Sequence, residues 1–193
     1  MTKQEAKECA LRWMDEATVN GHAVRDSESA DYRDRMDYLL DGVLTELAAI
    51  FPLTGAQEYV AVAGAETQVK LLPADFRRLS RIVRTYHGTR SEWSGYRCDG
   101  RRLELPADCP GTFTVYYERM PVLPAVSAAP DTVLDCAPGA ETLIPLKLAA
   151  DLAIGTPEHA QTGVYLTNRY HEAVQRLQVN HPAGSGIESV FRV

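Results

Sequence analysis

Apolar positions recur at helical spacing over the first fifty residues. Thr2 with Glu5 three positions later forms a capping-box pattern, and Ala6, Ala10, Trp13, Met14 and Ala17 follow it along one face. A first helix is expected over about residues 3–20, with Asn20-Gly21 ending it. Tyr32, Met36, Leu39, Leu40, Val43, Leu44 and Leu47 form a second stripe, opposite a row of aspartates. It predicts a helix over about 29–50, closed by Pro52. A Leu/Met stripe at this spacing reads as a packed core face.

From residue 57 the period shortens. Tyr59-Val60-Ala61-Val62 and Thr67-Gln68-Val69-Lys70-Leu71 flank Gly64 and read as a short hairpin. Strands are expected at 79–86 and at Arg101-Arg102-Leu103-Glu104-Leu105. The clearest strand signal is Thr112-Phe113-Thr114-Val115-Tyr116-Tyr117-Glu118. Pro121, Pro124 and Pro130 make 120–135 an extended connection. Helical spacing returns over 141–154 (Leu146, Leu148, Ala149, Leu152, Ile154) and over 157–177. The last helix starts at Thr156-Pro157-Glu158 and turns Ala160, Val164, Val174 and Leu177 inward.

These elements predict an α+β fold, mainly α. A four-helix unit carries an inserted antiparallel β segment over about 57–118, all within a single domain, 1–178. Residues 179–193 make an extended, flexible C-terminal arm, rich in Gly, Pro and polar residues but ending in apolar side chains.

The chain has 193 residues, 45% of them hydrophobic, enough for one well-packed domain. No apolar run is long enough to span a bilayer, and no h-region follows the polar N-terminus, so neither a membrane partner nor export by a signal peptide is expected. Cys9, Cys98, Cys109 and Cys136 are separated by gaps of 89, 11 and 27 residues, unlike paired zinc ligands. Reduced thiols in a cytoplasmic setting follow.

The net charge of −6 argues against avid general binding to nucleic acid. Residues 73–104, however, carry eight arginines against four acids, leaving −10 on the remainder. Arg77, Arg78, Arg81 and Arg84 begin this run and are candidates for a subunit interface, because a guanidinium pairs bidentately with carboxylates. Solvated strand-face cations are the simpler reading.

Candidate chemistry is sparse. Phosphate-binding glycine loops, a Gly-x-Ser-x-Gly elbow and a His-Glu-x-x-His pair are all absent. His159 and His171 lie twelve residues apart, too far along a helix to share a metal. Asp75 reads as a turn residue in the absence of a partner acid or histidine. No catalytic residue, metal site or cofactor is assigned, and the chain is not expected to be an enzyme.

The order of several motifs resembles the bacteriophage head–tail connector (adaptor, or head completion) proteins. The residues are Leu72-Pro73-Ala74-Asp75-Phe76 before an arginine-rich strand, then Val115-Tyr116-Tyr117-Glu118-Arg119-Met120-Pro121. Ile144-Pro145-Leu146-Lys147-Leu148-Ala149-Ala150 and a last helix with Tyr170-His171-Glu172-Ala173-Val174 complete the set. The 88–100 loop has no counterpart in that pattern. The resemblance implies a structural subunit in the virion, assembled in the bacterial host cytoplasm as a dodecameric ring on the portal protein. Isolated copies can be monomeric. The ring extends the DNA channel toward a tail or stopper protein, and DNA passes without specific recognition. It also implies that the C-terminal arm engages the portal, with Ile187, Val190, Phe191 and Val193 as anchors. Two alternatives remain: a DNA-binding module using the Arg77–Arg102 segment, and a hydrolase built around Asp75 and His87.

Overall fold

The structure is a computed structural model, which describes the chain except residues 15–17, 20, 21, 24–26, 65 and 181–193. It divides into two compact units: Met1–Phe51 with Pro121–Val193, and Pro52–Met120.

In the first unit, α1 (Lys3–Trp13) begins at a complete capping box. The Glu5 N–H donates to Thr2 Oγ1 at 3.2 Å, and the Thr2 N–H to Glu5 Oε2 at 2.8 Å. Further N-terminal donors of α1 reach the extended connection, Lys3 N–H to the Thr132 carbonyl and Gln4 N–H to that of Pro130. The helix is shorter than expected, because β1 (Thr18–Val19) pairs with β2 (His22–Ala23). Asn-Gly after the β-branched Thr18-Val19 is a hairpin signal as well as a helix stop.

α2 (Ser27–Ile50) buries Tyr32, Met36, Leu40, Val43, Leu44 and Leu47. α3 (Leu143–Ile154), preceded by a 3-10 turn over Ala140–Thr142, buries nine of its twelve residues and packs on α1, α2 and α4. After a second 3-10 turn, Pro157–His159, α4 (Ala160–Asn180) buries Leu166, Tyr170 and Val174. Of the expected inward face, Val174 is buried and Leu177 packs against the core, whereas Ala160 and Val164 are exposed, Val164 at 60%. Gly163 explains the phase. It meets the end of α3 so closely that a Cβ there would stand 2.6 Å from the Ile154 amide nitrogen.

The second unit holds β3 (Leu53–Ala61), β4 (Gln68–Leu71), β5 (Phe76–Tyr86), β6 (Thr89–Glu92), β7 (Arg97–Asp99), β8 (Arg102–Leu105) and β9 (Gly111–Arg119). They form two antiparallel sheets, ordered β3-β9-β5-β6 and β4-β8-β7. The 57–71 hairpin does not form, since β3 pairs with β9 and β4 with β8. Ala61, Ile82, Phe113 and Val115 of one sheet and Leu103 and Leu105 of the other share one apolar core with Leu72. At the β5–β6 turn, His87 (φ 49°) and Gly88 (φ 80°) lie between paired Tyr86 and Thr89, a two-residue connection with both φ positive.

The fold-class expectation is corrected accordingly. Among the described residues 43% are helical and 28% are in strands, so the chain is α+β and not a helix-dominated four-helix unit. The physical reason lies in the second core: the strands bury their own apolar faces and so make a unit in their own right.

Opposite signs are expected for two glycine substitutions. Gly42→Ala on α2 meets nothing within 4 Å and gains helix propensity, about 0.5–1 kcal/mol. Gly163→Ala forces α4 from α3 and costs about 1–3 kcal/mol despite the same propensity gain. Denaturant unfolding followed by circular dichroism reads both; equal stabilisation would refute the close helix contact.

Candidate functional site

The arginine-rich strand β5 is the first place to seek a working surface. Phe113, Val115 and Tyr117 of β9 turn toward the β core, while Thr114, Tyr116 and Glu118 face the other way. Register places Arg78 opposite Glu118, Arg81 opposite Tyr116 and Arg84 opposite Phe113. Regular alternation would pair Arg78 with Arg84 on one face. A shift between Leu79 and Arg81 leaves Ser80 as an extra residue and reverses that arrangement.

Arg78 and Arg81 therefore share the outward face. Arg78 Nη2 lies 2.7 Å from Glu118 Oε1, although its side chain is 75% exposed, so this pair adds little stability. The Arg81 guanidinium lies 4.6 Å from the Tyr116 ring centroid, and Arg90 donates to the Tyr116 hydroxyl at 3.4 Å. Arg84 turns inward. It donates from Nε and Nη2 to the Pro110 carbonyl at 3.0 and 2.6 Å and stacks on Tyr86 and Trp93. Arg77 is exposed at the other register shift, between Phe76 and Arg78. Arg101 holds the Leu72 carbonyl at 3.1 and 2.8 Å. The basic segment is thus spread over two sheets and both faces of β5.

Leu72–Phe76 is a structural knot. Leu72 is buried and its N–H donates to the Arg101 carbonyl, while the Phe76 N–H closes a turn on the Pro73 carbonyl. Asp75 accepts the Met120 N–H at its carbonyl (2.7 Å) and the Tyr117 hydroxyl at Oδ1 (3.3 Å). Burial, and then Asp75, raise the Tyr117 phenol above its ordinary pKa. Gly55 leaves room for that ring; a Cβ would lie 2.6 Å from Tyr117 Cζ. Asp75 and His87 flank opposite ends of the eleven-residue β5, roughly 35 Å apart at about 3.3 Å per residue, so they form no acid–base pair.

The helical unit holds a cluster of Glu46, Lys147, Asp151 and Tyr170. Tyr170, 1% exposed, donates to Glu46 Oε1 at 2.9 Å, and Lys147 Nζ reaches Glu46 Oε2 at 3.2 Å and Asp151 Oδ1 at 2.9 Å. Burial and the neighbouring Glu46 carboxylate push the Tyr170 phenol far upward. Burial works to lower the Lys147 pKa, but Asp151 and Glu46 outweigh it and the net shift is upward. Both groups thus keep their protons at neutral pH, the opposite of what a general base requires. A lone lysine within a nearly all-apolar helix, with Asp151 one turn on, was the sequence signal for this network.

A groove of about 580 Å³ runs beside Lys3, Lys7, Glu8, Arg33, Asp34 and Asp37 and the connection at Val126, Ser127, Ala128 and Pro130. Lys3 is 3% exposed and donates to the Val126 and Ala128 carbonyls, with Asp37 Oδ1 3.2 Å away. Lys7 lies 2.6 Å from the same carboxylate oxygen, and Arg33 Nε 3.0 Å from Glu8. These charges fasten the connection to α1 and α2. Among the described residues no three His, Cys, Asp or Glu side chains gather as metal ligands. Burial raises the Cys98, Cys109 and Cys136 thiols, with Asp99, Asp108 and Glu141 respectively adding to it. The arm residues Ile187, Val190, Phe191 and Val193 lie outside the described residues.

Neither a protein-family model nor a curated protein sequence matches this chain.

Replacing Tyr170 by Phe should cost about 1–2 kcal/mol by leaving a Glu46 oxygen without its donor. The raised phenol stabilises the fold below its unfolded pKa, near 10.0, and that contribution is lost as pH rises through the folded value. Unfolding midpoints from pH 8 to 11 should therefore fall more steeply for wild type than for Tyr170→Phe. Parallel curves would show that the bond does not favour the protonated phenol.

Proposed function

We propose that this chain is a non-catalytic structural subunit of a bacteriophage head–tail connector. It is one copy of a ring that docks on the portal and extends the DNA channel toward the tail. The ordered motifs from Leu72 to about residue 177 motivate the family. The observation that carries an assembly role is the placement of exposed apolar side chains. Val122, Leu123, Val126 and Val133 line the connection of the helical unit, and Val60, Val62, Val69 and Leu71 lie on or beside β3 and β4. Val122 and Val133 are 68% and 72% exposed, a poor arrangement for a molecule that works alone in water.

Two further observations support the reading against its rivals. The cluster of Glu46, Lys147, Asp151 and Tyr170 keeps its acid and base partners bonded to one another, and Asp75 supports β5 and β9. A DNA-binding module needs a contiguous basic face, but Arg84 and Arg101 hold backbone carbonyls and Arg78 pairs with Glu118. In this reading the portal, copies of the chain itself and a tail or stopper protein are the partners. Its location is the virion, with assembly in the host cytoplasm.

The test is co-purification with the portal protein from the same genome, using the full chain and a form ending at residue 178. The full chain should be retained and the shortened form lost or strongly weakened, with rings visible by electron microscopy on the portal. If neither form associates, the connector reading fails.

A further inference from the structure

β3 is an end strand of the four-stranded sheet, and its nine residues pair with β9 without a register shift. Sheet edges are ordinarily protected by proline, lysine, a bulge or a covering element. Leu53–Ala61 contains no proline, lysine or arginine, and Thr54, Ala56, Gln57, Glu58 and Val60 are exposed. The Met120 N–H donates to the Asp75 carbonyl, so even-numbered positions along β9 address β5 and odd-numbered ones address β3. Gly55, Gln57 and Tyr59 thus carry the ladder to β9. Thr54, Ala56, Glu58 and Val60 turn their N–H and C=O groups toward the open edge.

The opposite edge of the same sheet is β6. The Trp93 N–H donates to the Ile82 carbonyl, so by the same alternation Arg90 and Glu92 address the open side. β3 and β6 run in opposite directions, because three antiparallel steps separate them. The β6 edge of one copy can therefore extend antiparallel onto the β3 edge of another, continuing the sheet with the same face outward.

Charge selects the register. Arg90 opposite Glu58 sets Glu92 opposite Ala56. A shift of two residues one way sets Glu92 opposite Glu58, which like charges disfavour, and a shift the other way leaves Arg90 facing Ala56. Arg90 also donates to Tyr116 of its own chain, which holds it on the face that Glu58 shares.

Building on the ring reading, we propose that copies of this chain associate by β6-to-β3 edge pairing. The contact aligns Arg90 with Glu58 of the next copy and is head-to-tail, the kind that closes into a ring or propagates.

The test uses the full chain assembled on its portal. A photo-cross-linking amino acid at position 56 should capture the peptide containing Thr89–Glu92 of another copy, identified by mass spectrometry. Ala56→Pro removes one outward N–H and should weaken self-association about tenfold while the unfolding midpoint of the monomer holds. Glu58→Arg and Arg90→Glu should each weaken assembly, and the double reversal should restore it. Rings that persist in Ala56→Pro, or cross-links joining two β3 strands, overturn edge pairing and leave the connector reading standing. A wild-type chain that neither self-associates nor binds the portal removes both.

Discussion

The constraint on which this architecture depends is that the β unit must leave and re-enter the helical unit at nearly one point. The chain departs at Pro52 and returns at Met120. β3 and β9 satisfy that demand by pairing along their whole length, from Leu53 with Arg119 to Ala61 with Gly111. An antiparallel pair holds opposed Cα atoms about 4.5–5.5 Å apart, so the two crossings are fixed side by side. The insertion costs the helical unit little more than a tight loop would. It also places β9 in the interior of the sheet: it serves both β3 and β5, and its inward Phe113 and Val115 belong to the β-unit core.

Much of the fold was legible because single faces are buried by single periods. The α2 stripe from Tyr32 to Leu47 is buried at Tyr32, Met36, Leu40, Val43, Leu44 and Leu47, and the strand read at 112–118 is β9. The misreadings have specific causes. Periodicity cannot register an extra residue, and Ser80 alone decides that Arg81 joins Arg78 while Arg84 turns inward. Hydropathy gives a glycine no weight and a tyrosine little, yet Gly163 and Tyr170 set the phase of α4. Proximity in sequence suggested joining β3 to β4, whereas their partners lie 50 to 66 and 31 to 37 positions away.

The polar chemistry follows a common theme. Arg84, Arg101 and Lys3 each hold a backbone carbonyl of a distant segment, at Pro110, Leu72 and Val126 respectively, and the Asp75 carboxylate accepts the Tyr117 hydroxyl. Such bonds tie loops and strand ends that apolar burial alone leaves loosely placed. Charged groups used this way are scarcely available for substrate chemistry. The role of Asp75 as a turn residue was readable because no partner acid or base stood near it in sequence. That of Arg84 was not, because its orientation depends on a bulge.

The partition of charge adds a physical argument about how copies approach each other. The β unit holds ten basic and eight acidic residues, +2, and the rest of the chain ten basic and eighteen acidic, −8. Helical units facing each other would bring like fields within a screening length of about 8 Å at physiological salt, and so repel. A nearly neutral β unit approaches a second β unit with far less resistance. In the proposed edge pairing, individual pairs at that closer range, Arg90 against Glu58 above all, would decide register, while the surplus negative charge would keep the helical units apart. Assembly through strand edges is then the arrangement that asks least of the electrostatics, and the one in which an unprotected β3 has a use.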